Sequence, residues 1–231
     1  MLLFALAIAP GLAICLFIYS RNKYGKESLR YLVISFILGM VSTLPALVFQ
    51  LISNVVRKDF SSHSILSIAW YAYIVVGLSE EASKFLMLRL YAYPRKEFKE
   101  PFDGIVYAVM IGMGFATLEN IEYVERFGAT AGISRFFLSV PAHASFAVLM
   151  GYNTGLAKLY PSRAAWLMCR GLLIAVLFHG SFDFFLFLQQ DDQVRQNVSQ
   201  GLLSFGAFAT FYIAIRLAMR TIRMHKKYDI D

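Results

Sequence analysis

Seven runs of predominantly apolar residues recur along the chain, at about 2–20, 31–52, 66–91, 104–125, 134–157, 165–189 and 200–219. Each has the length that a helix needs to cross a bilayer core, roughly 20 residues. The runs are continuous and do not alternate between apolar and polar positions. That predicts helices and argues against the strands of a closed barrel, the other fold that satisfies backbone groups in lipid. The polar stretches between the runs are too short to hold a soluble domain. The pattern therefore predicts an all-α polytopic membrane protein, a bundle of about seven transmembrane helices forming a single integral-membrane domain over residues 1–231.

Composition agrees, with 58% hydrophobic and only 16% charged residues and a mean hydropathy of +0.57. A disordered chain would be poor in hydrophobics. The net charge of +7 would suggest nucleic acid on a soluble fold, but not on one this apolar, so no nucleic-acid partner is expected. Its distribution gives it another meaning. Arg21, Lys23, Lys26, Arg30, Arg89, Arg95, Lys96, Lys99, Lys158, Arg163, Arg170, Arg216, Arg220, Arg223, Lys226 and Lys227 fall on one side of the predicted spans, sixteen of the 22 basic residues. Arg57, Lys58, Arg126, Arg135 and Arg195 fall on the other. The positive-inside rule then predicts an outer N-terminus and a cytoplasmic C-terminus. The first run carries no basic residues before it, unlike a cleaved secretory signal. Cys15 and Cys169 lie in or near spans and read as packing residues. Pro45, Gly112, Gly114, Pro141 and Gly151 read as packing and bending positions.

The remaining basic residue, Lys84, lies inside a span, and it has company. Glu80, Glu81, Glu119, Asp183, His143 and His179 are also placed where an ionisable group costs several kcal/mol on most scales. In the third run Glu80 and Lys84 are four apart and share a helix face. Glu81 is turned about 100 degrees from Glu80, so one carboxylate can be tied up while the other faces a cavity. Phe115 and Glu119 share a face of the fourth run, with Asn120 beside them, whereas Glu122 and Glu125 read as interfacial. His143 follows Pro141 in the fifth run, and His179 and Asp183 lie four apart in the sixth. His63 and His225 read as solvated. Carboxylates and imidazoles converging in one bundle interior suit water activation, but they equally suit a proton relay or a zinc site. Spacing alone leaves these three open.

Taken in order, Glu80-Glu81-x-x-Lys84, Phe115-x-x-x-Glu119-Asn120, His143 with the later Gly151-Tyr152, and His179-Gly180-x-x-Asp183 resemble the PrsW family of bacterial intramembrane proteases. Ile8-Ala9-Pro10-Gly11 and Phe102-Asp103-Gly104-Ile105-Val106-Tyr107 resemble it too. The resemblance spans about residues 5 to 187 and leaves only the last run generic. It implies a peptidase in the bacterial cell membrane that makes the site-1, extracytoplasmic cut in a membrane-anchored anti-sigma factor. A site-2 protease then acts downstream and a sigma factor is released in a stress response. The related CAAX prenyl endopeptidases carry Glu-Glu-x-x-x-Arg, Phe-x-x-x-His and His-x-x-x-Asn. This chain departs from them at Glu119 and Asp183, which moves the water-positioning role to His143.

On this reading Glu80 or Glu81 is the general base, His143 and Glu119 position the water, and His179, held by Asp183, stabilises the oxyanion or protonates the leaving amine. Lys84, Phe115 and Asn120 are supporting residues. The absence of cysteine from the cluster favours a glutamate mechanism without a cofactor, with zinc left open. A proton-coupled transporter or channel, or a non-catalytic membrane scaffold, would use the same residue types. No internal repeat of the kind transporters carry is evident.

Overall fold

The computed structural model describes residues 2–21, 28–56 and 64–225. Lys23, Lys26, Arg57, Lys58, His63, Lys226 and Lys227 lie outside the described residues. The described chain is helical almost throughout. In order it forms α1 (Leu2–Arg21), α2 (Leu29–Val41), α3 (Thr43–Val56), α4 (Ile65–Ala92), α5 (Pro101–Phe137), α6 (Ser139–Leu159), α7 (Ala164–Leu188), α8 (Asp192–Asn197) and α9 (Gln200–His225).

Among the described residues six stretches are long and apolar enough to cross a membrane, one of them the 59 residues Pro101–Leu159. That stretch contains the fourth and fifth predicted runs, and packing shows how it doubles back. The backbone of Gly104 approaches Gly151 and Gly155, while Gly112 approaches Ala147 and His143. Residue numbers rise on one side as they fall on the other, so α5 and α6 run antiparallel. The seven runs are mostly helical, with breaks at Ser42 in the second and Leu138 in the fifth.

Two breaks have local causes. The 37 residues of α5 at about 1.5 Å each would span about 55 Å, well beyond a bilayer core of roughly 30 Å. The helix kinks at Gly128, whose φ of 76° lies in the left-handed region open to glycine. Between α2 and α3 the break falls at Ser42, three residues before Pro45, which lacks the N–H that would continue the ladder to Val41. Ser42 Oγ and Thr43 Oγ1 donate instead to the carbonyls of Gly39 and Met40, both at 2.7 Å. The start of α5 is capped. Pro101 occupies its first turn, and Asp103 Oδ2 accepts from the backbone N–H of Lys99 at 2.7 Å and of Glu100 at 2.8 Å.

The α5–α6 pair forms the centre. A single buried cluster joins residues of α1, α2, α4, α5, α6, α7 and α9, including Ile18, Leu32, Leu88, Tyr107, Met113, Phe146, Phe182 and Ala214. Lipid tails are as apolar as leucine, so helices gain little from burying leucine against each other; close backbone approach does the work. A methyl group on Gly39 would meet the Ile111 carbonyl, one on Gly114 the Phe36 carbonyl, and one on Gly151 the Gly104 carbonyl. Gly112, Gly114 and Gly151 are therefore packing positions, as their spacing predicts, and Gly151-x-x-x-Gly155 is the seam that admits Pro101 and Gly104. The periphery is apolar and outward-facing, with Leu44, Leu51, Leu66, Leu90, Trp166, Leu173, Leu202 and Phe205 exposed, as a lipid-embedded surface requires. Cys15 is buried and packs in the core, whereas Cys169 is exposed; both are free thiols.

Gly151→Val should lower the unfolding free energy in detergent by about 3 kcal/mol or prevent folding, because the neighbour is backbone and cannot yield. Gly201→Ala, with open space around it, should leave stability unchanged or slightly raised. Equal melting temperatures for both variants would contradict this account of the α5–α6 seam.

Candidate active site

Buried polar groups collect where α4, α5, α6 and α7 meet. The central helical turns of α4, Ser79–Met87, are flanked by wider π-type turns over Tyr71–Leu78 and Leu88–Ala92, a distortion often found at functional sites. Within the regular stretch Ser79 and Ser83 return their hydroxyls to the carbonyls of Val75 and Ser79. Glu80, Glu81 and Lys84 are left to face inward, all three buried.

Lys84 Nζ is the hub. It donates to Glu81 Oε1 at 2.8 Å and to Glu80 Oε2 at 3.4 Å, lies 3.3 Å from Nδ1 of His143 and sits 3.9 Å above the Phe115 ring centroid. The i,i+4 pairing expected of Glu80 and Lys84 is present, but the shorter contact is to Glu81, so one ammonium serves both carboxylates. Glu80 Oε1 also lies 3.5 Å from the side-chain amide of Gln50 on α3. The other oxygen of Glu81, Oε2, is buried with no hydrogen-bond partner among the described residues.

Both imidazoles are clamped by carboxylates. His179 Nδ1 lies 2.8 Å from Glu81 Oε1, and its Nε2 lies 3.2 Å from Asp183 Oδ2 and 3.8 Å from Glu80 Oε2. Phe146 stacks on the His179 ring at 5.3 Å. His143 Nε2 lies 3.0 Å from Glu119 Oε2, and the two imidazoles meet edge to face at 5.0 Å. The fold therefore brings together every residue that the sequence singles out: Glu80, Glu81, Lys84, Phe115, Glu119, His143, His179 and Asp183 share one site, with Asn120 just behind Glu119. Glu122 stays outside it, in an exposed pair with Arg126 at 2.7 Å.

Arg135 and Gln50 were not foreseen. Charge counting assigns Arg135 to an outer loop, yet its guanidinium is nearly buried, pairing with Glu119 Oε2 at 2.7 Å and donating to Asn120 Oδ1 at 2.6 Å. The signal for it in the sequence is its position just inside the predicted run 134–157, while Glu119 of the preceding run has no assigned cation.

Glu80, His143 and His179 each present a ligand atom within 4.8 Å of the others, a grouping able to hold a metal ion. Two imidazoles and a carboxylate match a common catalytic zinc donor set. The charges around it fit as well. With neutral imidazoles, the four carboxylates of Glu80, Glu81, Glu119 and Asp183 face only two fixed cations, Lys84 and Arg135, a surplus that a divalent cation would neutralise. The carboxylates behind each imidazole are those that metal-ligating histidines use to fix their orientation. Zinc, left open by the sequence, is thus compatible with the residues present.

The fold and this cluster define a polytopic membrane protein with a buried carboxylate–imidazole centre suited to hydrolysis. The chain belongs to the PrsW family intramembrane metalloproteases, whose family model matches residues 27–217. Protease PrsW of Halalkalibacterium halodurans is 35% identical over 183 residues, covering 79% of this chain and 82% of the relative. Protease PrsW of Bacillus subtilis is 34% identical over 181 residues (78% and 80%), and that of Clostridioides difficile 33% over 193 residues (81% and 80%). No solved structure matches the chain. The protein is accordingly a membrane peptidase, acting on a protein substrate.

Lys84→Met should cost about 3–5 kcal/mol, since removing one partner strands buried charge, and Lys84→Arg should recover part of it. Thermal melting in detergent reads the difference; an unperturbed Lys84→Met protein would show that the ammonium is not what holds the two glutamates.

Proposed function

We propose that the protein is a site-1 protease of the bacterial cell membrane. It makes the first, extracytoplasmic cut in a membrane-anchored anti-sigma factor, after which a site-2 protease completes release of the sigma factor. Family membership supports the peptidase activity. The placement of the site supports the side of the cut. Glu119 precedes the Gly128 kink, His143 lies one turn into α6 and Asp183 lies near the end of α7, all towards the bundle end that the distribution of basic residues assigns to the exterior.

The observation that carries the mechanism is the bare, buried Oε2 of Glu81. Glu81 Oε1 is engaged by Lys84 and His179, so the side chain is fixed while Oε2 is free to take a proton from an attacking water, making Glu81 the general base. Glu80, His143 and His179 are the residues that would hold a divalent ion, which when bound supplies Lewis acidity at the scissile carbonyl and an acidified water. Glu119 and Asp183 orient the two imidazoles from behind, and Lys84 balances the paired glutamates. A second reading keeps the site free of metal. His179 lies between two carboxylate acceptors, Glu81 and Asp183, and there it serves as the proton donor to the leaving amine.

Co-expression with a tagged single-span anti-sigma factor tests the function. Glu81→Gln and Glu80→Gln should each reduce the shortened product by about 100-fold or more at unchanged protein level; full cleavage by both variants would end the proposal. Chelation of the purified protein separates the two mechanisms: loss restored by zinc supports the ion, and persistent cleavage supports the proton-donor reading. For the topology, a reporter active only outside the cytoplasm should stay silent when fused to the C-terminus. A positive signal there would invert the assigned orientation.

A further inference from the structure

Along α9, Leu203, Ala207, Ala214, Ala218 and Ile222 are buried against the bundle. The opposite stripe of the helix is exposed and changes character along its length. It begins apolar, with Leu202, Phe205, Tyr212 and Ile213, and ends with Arg216, Arg220 and Arg223. From Leu202 to Arg220 the helix rises about 27 Å at about 1.5 Å per residue, close to the roughly 30 Å of a bilayer core. The change from apolar to basic therefore falls where hydrocarbon gives way to phosphate.

These cations differ from the others assigned to the same side of the membrane. Arg89 and Lys158 rest on the Tyr93 ring at 4.9 and 4.5 Å, and Arg95 rests on Tyr91 at 3.9 Å. Arg170 donates to Asn153 Oδ1 at 2.7 Å. Of the α9 arginines, Arg216 donates to the Tyr212 hydroxyl one turn back at 3.0 Å, which holds its guanidinium along the stripe. Among the described residues no carboxylate pairs with any of the three, and α9 itself contains neither Asp nor Glu. Among those residues, Arg216, Leu217, Arg220, Arg223 and Met224 line a hollow of about 560 Å³. Its wall joins three guanidinium groups to two apolar side chains.

A guanidinium matches phosphate oxygens as a bidentate fork, and the apolar side chains suit the glycerol and upper acyl carbons beside a lipid phosphate. The basic face runs unbroken into the stripe that meets lipid tails, a continuity that a lipid can use and a soluble acidic partner cannot. We propose that Arg216, Arg220 and Arg223 bind the phosphate of an anionic phospholipid, whose acyl chains lie along the apolar part of the same stripe. The site shares no residue with the buried centre, and lipid binding does not depend on the proteolytic reading. Its assignment to the cytoplasmic leaflet alone rests on the orientation proposed above.

The full chain in detergent, titrated with dioleoyl phosphatidylglycerol and followed by native mass spectrometry, tests this. At about 1 kcal/mol per basic residue, it should bind that lipid about 100-fold more tightly than dioleoyl phosphatidylcholine. Glycerol phosphate, the headgroup without chains, should compete poorly. Arg220→Gln with Arg223→Gln should cut the preference about 30-fold. Lys96→Gln with Lys99→Gln removes the same charge from the exposed segment before α5 and should change it less than about twofold. Equal losses in the two variants would mean diffuse charge in place of a site and overturn the proposal. So would equal affinity for the two lipids, or full competition by glycerol phosphate, which would mark a free-anion site. Complete displacement of the lipid by soluble polyglutamate would make the face a protein-docking surface and overturn it as well. If the arginine variant does not fold, the lipid comparison and the two competitions on the unaltered protein decide.

Discussion

A lysine ammonium buried in a membrane bundle is stable only where opposite charge is within contact distance, and in this protein that requirement organises the centre of the molecule. Lys84 draws in Glu81 at 2.8 Å and Glu80 at 3.4 Å from its own helix, the Phe115 face from α5 and His143 Nδ1 from α6. Three helices must meet there for the charge to be covered. The second glutamate brings His179 of α7 with it, so the four site-forming helices are tied to a single cation.

Such a centre needs a rigid enclosure, and leucine packing in lipid does not supply one. The glycines do. Gly39 against Ile111, Gly114 against Phe36, and Gly104 against Gly151 and Gly155 bring backbones close enough for dispersion contacts to accumulate without a solvent-driven term. Gly180 against Tyr73 repeats the device between α7 and the widened turns of α4, one residue after His179. The contacts of Gly112, Gly114 and Gly180 lie at the level of the polar cluster, and those of Gly104 with Gly151 and Gly155 secure the same α5–α6 pair further along, so the helices that carry the site have little freedom to relax.

The cluster is graded in its partners. Each imidazole is backed by a carboxylate, Glu119 behind His143 and Asp183 behind His179, and one of those carboxylates is backed again by Arg135 and Asn120. Towards the interior Glu81 Oε2 has no hydrogen-bond partner among the described residues, and with neutral imidazoles the charges of the set do not balance. An unpaired carboxylate oxygen and a surplus of negative charge leave polar capacity in the middle of the site.

Much of this was legible along the chain. Apolar runs of bilayer length determine the all-α polytopic fold, because in lipid a helix satisfies its own backbone hydrogen bonds. The i,i+3 and i,i+4 spacings of Glu80, Glu81 and Lys84 and of His179 and Asp183 determine local pairs, because helix geometry alone puts those side chains in reach. Ionisable residues inside those runs single out the side chains that the fold gathers into one cluster, because each is costly in lipid unless paired. The sequence could not decide which carboxylate Lys84 prefers, since that depends on His143 and Phe115 approaching from other helices. Nor could it place Arg135, whose charge is read as a loop signal until the glycine kink and the return of the chain bring it to Glu119. Those contacts join residues far apart in the chain, and only the packing of α4 to α7 around one buried cation sets their geometry.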